Sequence, residues 1–174
     1  MDIVSVNEEN KERVINFLKE FSMINDINKE VIMNGEFVLE EQIIGLLSFE
    51  EFNQMGLIRY FIFRKAVSED IALELFNKII TKAQKKNLKS LLTLVVKKEA
   101  IDIFKKLGFY EIDKKTVYIE ETNIEETKFK DAFVMKYDII KNWPKSVFLI
   151  IHLSKNVNKS QLQIFSRFFE RFML

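Results

Sequence analysis

Two apolar runs separated by a single helical segment set the tightest limit on how this chain folds. Leu57 to Arg64 (LIRYFIFR) is apolar on both faces except at Arg59, and Leu91 to Val96 (LLTLVV) is almost wholly apolar. A strand covered on both faces reads this way. Between them Ile71, Leu75, Phe76, Ile79, Ile80 and Ala83 recur at helical spacing. Ser68 stands where it can cap that helix, which runs to about Asn87. Lys82, Lys85 and Lys86 lie near its C-terminal end, where the helix dipole favours cations. Strand, helix, strand over 57–96 predicts a parallel βαβ unit with a right-handed crossover. Its two strands need covering elements on both faces, so the flanking sequence has to supply them.

The N-terminal flank predicts a strand at Ile3 to Val6 and a helix capped by Asn7, with Glu8 and Glu9 in its first turn. Val14, Phe17, Leu18 and Phe21 form the apolar stripe of that helix. A short helix follows over Lys29 to Met33, and Asn34-Gly35 signals a turn. Glu36 to Glu41 and Ile43 to Phe52 read as strands. With Asn53 to Gly56 as the next turn, they join Leu57 to Arg64 in an antiparallel meander. Beyond the βαβ unit, Lys98 to Leu107 predicts a helix closed by Gly108. Phe109 to Asp113 and Thr116 to Glu120 predict strands, Thr122 to Lys130 a polar loop, and Ala132 to Asp138 a final strand. Asn142-Trp143-Pro144 marks a boundary. Past it lie a strand-like run, Val147 to Leu153, and a helix from about Lys159 with Leu162, Phe165, Phe168, Phe169 and Phe172 on one stripe. The expected division is 1–140 and a C-terminal strand–helix extension, 141–174.

Composition narrows the chemistry. The 174 residues include no Cys, one His (His152) and four Gly, so disulfides, thiolate metal sites and multi-His cages are excluded. Gly35, Gly45, Gly56 and Gly108 stand too far apart for a Walker loop or a dinucleotide fingerprint. Scarce Gly, Pro, Ala and Arg beside abundant Lys and Phe also fits an AT-rich coding sequence. Net charge is only +1, so nucleic acid is not an expected partner. The charge is uneven: residues 1–60 hold 5 basic and 12 acidic side chains, net −7, whereas 61–115 hold 13 and 7, net +6. The longest strongly apolar run, Val147 to Ile151, is far short of a membrane span, and Met1-Asp2-Ile3-Val4 lacks a basic n-region. A cytoplasmic protein with no membrane partner is the expectation.

Within this order of elements, Glu99 to Tyr110 (EAIDIFKKLGFY) resembles the A-I-x-L-Y-x-K-L-G-F signature of the GNAT superfamily of N-acetyltransferases. Gln42 to Ser48 (QIIGLLS) resembles that family's third strand, and Ala132 to Tyr137 (AFVMKY) its closing strand. The resemblance covers roughly residues 1–138. It implies an α/β (α+β) fold with a mixed, mostly antiparallel twisted sheet flanked by helices. It also implies acetyl transfer from acetyl-CoA to an amine by direct attack, the acceptor being a small molecule or a protein.

The same resemblance assigns site residues. Phe61, Ile62 and Phe63 would offer main-chain groups to the pantetheine arm. The loop and helix start after them would hold the pyrophosphate, where the family carries R/Q-x-x-G-x-G/A. Aligned on Leu75, this chain reads Val67-Ser68-Glu69-Asp70-Ile71-Ala72, and only Ala72 matches. Arg64, Lys65, Ser68, Ile71 and Lys97 complete the expected cofactor-binding set. Two unit charges ~5 Å apart repel by about 3 kcal/mol at an effective dielectric near 20, so Glu69 and Asp70 oppose a diphosphate. They equally well begin a helix by themselves. Phe104 occupies the place where the family often carries a Tyr that protonates the leaving thiolate, and it cannot donate a proton. Glu50 and Glu51 are the carboxylates nearest the fourth strand and the candidate general bases, with Tyr110 as an alternative hydroxyl. No metal is expected. Three readings stay open here: an acetyltransferase, a binding or dimerisation module that has lost CoA, and a CoA sensor without turnover. The Phe-rich C-terminal helix would pack on its own domain or on a second copy in a homodimer.

Overall fold

A computed structural model describes residues 1–21, 24, 26–119, 122–127 and 129–139. The expected strand over 147–153, His152, the Phe-rich helix and the whole 141–174 extension lie outside the described residues.

Strand β1 (Asp2–Ser5) leads into α1 (Lys11–Lys19) and the short α2 (Lys29–Met33). Then come β2 (Glu36–Leu39), β3 (Ile43–Phe52) and β4 (Met55–Phe63). Helix α3 (Glu69–Lys85) crosses to β5 (Ser90–Val95), and a 3-10 turn (Lys98–Ala100) opens α4 (Ile101–Lys106). Strands β6 (Tyr110–Ile112), β7 (Tyr118–Ile119), β8 (Thr122–Asn123) and β9 (Phe133–Asp138) follow. Among the described residues seven strands form one sheet in the order β1-β2-β3-β4-β5-β9-β6, and β7 and β8 form a separate ribbon. Every neighbouring pair is antiparallel except β4 and β5, which are parallel. The expected mixed, mostly antiparallel sheet with a βαβ unit inside it is therefore present.

Side chains alternate between two covered faces. Phe63, Leu91, Met135 and Tyr137 pack with Leu75, Phe76, Ile79 and Ala83 of α3 and with Ile103 and Phe104 of α4. On the opposite face Phe37, Leu46, Tyr60 and Ile62 pack with Val14, Phe17 and Leu18 of α1 and Val31 and Ile32 of α2. Farther along that face Leu57, Leu92 and Val134 are covered by Val117 and Ile124 from the β7–β8 region.

Four local expectations change. Asn7 does not cap α1 directly. Its Oδ1 accepts from Glu9 N and Asn10 N, forming a turn, and the helix starts at Lys11. The β3–β4 turn is shorter than 53–56, because Phe52 already pairs with Met55. Asn53 adopts a left-handed φ of 53°, which Asn tolerates better than most residues. Residues Lys114–Thr116 make a 3-10 turn, started by Asp113 accepting from Lys115 N, so the expected strand there shrinks to β7. The expected polar loop at 122–130 contains β8 and a further 3-10 turn, Ile124–Glu126.

Candidate functional site

The middle of the sheet is where the strand pattern is broken. Ser48 pairs with Tyr60 but Phe49 with Ile58, so Arg59 is the extra residue of a bulge in β4. This explains the single charge in an otherwise apolar strand. A bulge bends its strand and increases its twist. On the other side of β4 the parallel ladder to β5 covers only Met55–Leu57 with Ser90–Leu92. Beyond it β4 runs on to Phe63 and β5 to Val95 with no further pairing to each other among the described residues. An interior strand thus carries an edge that no strand covers among the described residues, next to the bulge.

The open end of this split faces the start of α3. A crevice there is walled by Phe61 of β4, by Glu69, Ala72 and Leu73 of α3, and by Ile103, Lys106 and Leu107 at α4. Its volume is about 10 Å³, room for about one water. Aromatic rings close it in. Phe61 stands 5.6 Å from Phe63 and 6.1 Å from Phe104, and Phe104 stands 5.3 Å from Phe109. Phe104 is buried, so it packs the wall of the split and presents no hydroxyl. Ile62 points to the opposite face, into the core under α1 and α2.

At the helix start Ser68 Oγ accepts from Ile71 N at 3.4 Å. Glu69 and Asp70 occupy the first turn, where they favour the helix dipole and compete with any other anion. Ile71 is half-buried against the core and Ala72 fully buried. Arg64 lies over the Phe17 ring at 5.5 Å and pairs with Glu20, both from the α1 side. Lys65 pairs with Glu40 in the β2–β3 turn. Lys97 precedes the 3-10 turn, its carbonyl accepting from Ala100 N.

The three expected catalytic groups sit elsewhere. Glu50 pairs with Arg59 at 3.3 Å. Glu51 accepts from Asn34 Nδ2 at 3.1 Å and from Lys86 at 2.5 Å. Both carboxylates line a cavity of about 350 Å³ with Asn28, Glu30, Val31 and Met33. Lys86 follows the last turn of α3, whereas the crevice adjoins its first. A helix of 17 residues is about 25 Å long, so Glu51 and the crevice lie at opposite ends of α3. Tyr110 is on the edge strand β6 and donates to Asp138 Oδ2 at 2.8 Å. Partial burial, then that hydrogen bond, holds its phenol above the ordinary value, against the opposing charge of Lys136. Among the described residues no group of three or more His, Asp or Glu could hold a metal ion, and no helix is long and apolar enough to cross a membrane.

The structure therefore brings together Phe61, Ala72, Ser68 and Phe104, and separates them from Glu50, Glu51 and Tyr110. It adds Leu73, Ile103, Leu107 and Lys106, none of them among the site residues expected from the sequence.

A sheet whose parallel central pair parts beside a bulge, with α3 beginning at the opening, is the GNAT fold. No family model and no curated protein matches the sequence, but solved structures share the architecture. A GNAT-family acetyltransferase from Staphylococcus aureus Mu50 is 19% identical with a TM-score of 0.57, over 79% of this chain and 98% of that one. A Mycobacterium tuberculosis protein in complex with CoA is 14% identical with a TM-score of 0.58, over 79% and 99%. A chimera of the Vibrio cholerae spermidine N-acetyltransferase SpeG and hSSAT is 15% identical with a TM-score of 0.55, over 82% and 99%.

Proposed function

We propose that the protein is an acetyl-CoA-dependent N-acetyltransferase acting on an amine. The observation that carries this reading is the parting of β4 from β5 after Leu57↔Leu92, beside the Arg59 bulge. The residues present fit such a donor in two ways. The edge of β4 beyond its ladder to β5 can receive an extended arm as a strand would, and the first turn of α3 adjoins the end of that edge. Structural neighbours that carry CoA support the same assignment.

Bound acetyl-CoA supplies an activated thioester acyl group. The chain's own part is positioning. Main-chain groups of β4 around Phe61 to Phe63 orient the arm and polarise the carbonyl. Phe61, Phe104 and Leu107 exclude water. Ser68, Ile71 and Ala72 present the start of α3. The Arg64–Glu20 and Lys65–Glu40 pairs are partly exposed, so each stabilises the free protein by only about 0–1 kcal/mol, and opening them costs little.

A second reading is favoured by Glu69 and Asp70 in the α3 first turn together with the buried Phe104. In it the fold serves as a binding or dimerisation module without CoA. Thermal denaturation separates the two. Acetyl-CoA at ~100 times its dissociation constant adds about 2.7 kcal/mol, a clear rise in Tm. Such a rise with acetyl transfer to an amine panel is the expected result. No shift at millimolar acetyl-CoA refutes the acetyltransferase, and a shift without transfer leaves a sensor.

A further inference from the structure

We propose that the chain's own C-terminal segment, 141–174, docks on the half of the sheet that the β7–β8 region covers incompletely, with its Leu162, Phe165, Phe169 and Phe172 stripe against that face. This does not depend on the acetyl-CoA reading. On the side of the sheet that carries α1 and α2, those helices cover Phe37, Leu46, Tyr60 and Ile62, from β2 to β4. Over the rest of that side Val117 and Ile124 are the buried cover among the described residues, and Phe52, Met55, Leu94, Ile112 and Phe129 are only partly buried around them. Tyr118, in the same shallow depression as Phe52, Met55 and Leu94, is 58% exposed. An apolar patch left open beside a core marks a place where another element packs.

Position, chemistry and charge select the occupant. Strand β9 runs through this half between β5 and β6 and leaves it at the Phe52–Met55 end, where Ile139 N donates to the Lys89 carbonyl and Lys89 N to the Gln54 carbonyl in the β3–β4 turn. Residues 140–158 then precede the stripe, and extended they span up to about 60 Å, ample to return it over the face. The stripe supplies aromatic surface at helical steps of three, four and three. Residues 116–140, which form the incomplete cover and β9, hold 3 basic and 6 acidic side chains, net −3, and Glu125 and Glu126 are exposed. Residues 141–174 hold 6 basic and 1 acidic, net +5, so the two attract. The tether holds the segment at an effective concentration of about millimolar, which favours it over a second copy at micromolar protein. Leu94 lies on β5 beyond the last rung to β4, so a segment seated here borders the split on the side opposite the crevice.

The chain has no Cys, so an introduced pair reports alone. In the full chain Tyr118→Cys is combined in turn with Leu162→Cys, Phe165→Cys and Phe169→Cys. Glu74→Cys, exposed on α3 at the other side of the sheet, takes its place in the comparison set. A disulfide needs Cα atoms within about 7 Å. In a glutathione redox buffer at micromolar protein, Tyr118→Cys is expected to close an intramolecular disulfide with at least one tail position, to an extent about 10-fold or more above the Glu74→Cys pairs. Tm of the reduced variants checks the fold. Disulfides only between two chains, seen by non-reducing electrophoresis, overturn the proposal in favour of a second copy. Equal extents from Tyr118→Cys and Glu74→Cys, or none from Tyr118→Cys, overturn it outright. Phe165→Ser/Phe169→Ser gives an independent reading: the Met55 and Leu94 methyl signals in NMR should shift while those of Leu75 and Ile79 under α3 stay in place, and unmoved Met55 and Leu94 signals sink the proposal.

Discussion

Gly45 offers the sharpest test of how the split in the sheet is held. It pairs with Phe63 across the β3–β4 ladder. A Cβ on Gly45 would lie 2.3 Å from Phe63 Cδ1 and 2.5 Å from Cε1, far inside contact distance, so in Gly45→Ala the ring must move. Phe63 is 4% exposed and meets Phe61 edge to face, so little empty space receives it. Overpacking of this kind costs about 1–3 kcal/mol. For a chain of this size each kcal/mol lowers Tm by about 2–4 °C, giving an expected drop of about 2–12 °C by calorimetry. The double variant Gly45→Ala/Phe63→Leu isolates the cause. With the ring gone, adding the methyl group should cost well under 1 kcal/mol, so the cycle shows a coupling of about 1 kcal/mol or more. A Tm within 1 °C of the unmodified protein, or strict additivity in the cycle, refutes the ring-over-glycine contact. The displaced ring also presses on Phe61, so CoA affinity should change with it.

Three further outcomes are expected. Lys82 donates to Glu36 Oε1 and to the Gly35 carbonyl, each at 2.7 Å, while Ser5 Oγ donates to the same buried carboxylate. Lys82→Met should cost about 3–5 kcal/mol in urea denaturation, with much of it recovered in Lys82→Met/Glu36→Leu. Burial holds the Tyr137 phenol above its ordinary value, and Tyr110 is raised too. Each binds its proton more tightly folded than unfolded. That stability is complete below the unfolded value near 10 and is lost as pH rises through the folded one. Denaturation between pH 9 and 12 should show this alkaline decline, less steep in Tyr137→Phe. Asp70→Gly should tighten CoA binding about 2- to 5-fold by removing like charge, while lowering helix stability by about 1 kcal/mol. Unchanged affinity would mean that the α3 start does not face the anion.

Much of the scaffold was legible because it is set by local chemistry. Helix α2 over Lys29–Met33 and strand β3 over Ile43–Phe52 coincide with their sequence boundaries, since Asn28, Gly35 and the apolar period mark them within a few residues. Ser68 caps α3 as its type and position required. The candidate site was less legible. Phe61, Ala72 and Phe104 were reached through the family resemblance, but the spacing of Glu50 and Glu51 from β4 along the chain concealed their distance from the crevice. A β3 carboxylate can lie at either end of β4, and only the register decides which. Arg59 read as an interruption in a central strand; pairing on both sides was needed to see it as a bulge.

By itself the sequence determined that strand, helix and strand over 57–96 must form a parallel unit. Periodicity and burial leave that segment no other way to cover its apolar faces. It also determined that the α3 start is acidic. Only the tertiary structure decided that β9 enters between β5 and β6, that β4 parts from β5 after Leu57, and that Arg64 and Lys65 turn to Glu20 and Glu40. The physical reason is range. Capping, helical spacing and strand alternation act within a few residues, whereas ion pairing and strand insertion depend on which distant elements arrive side by side.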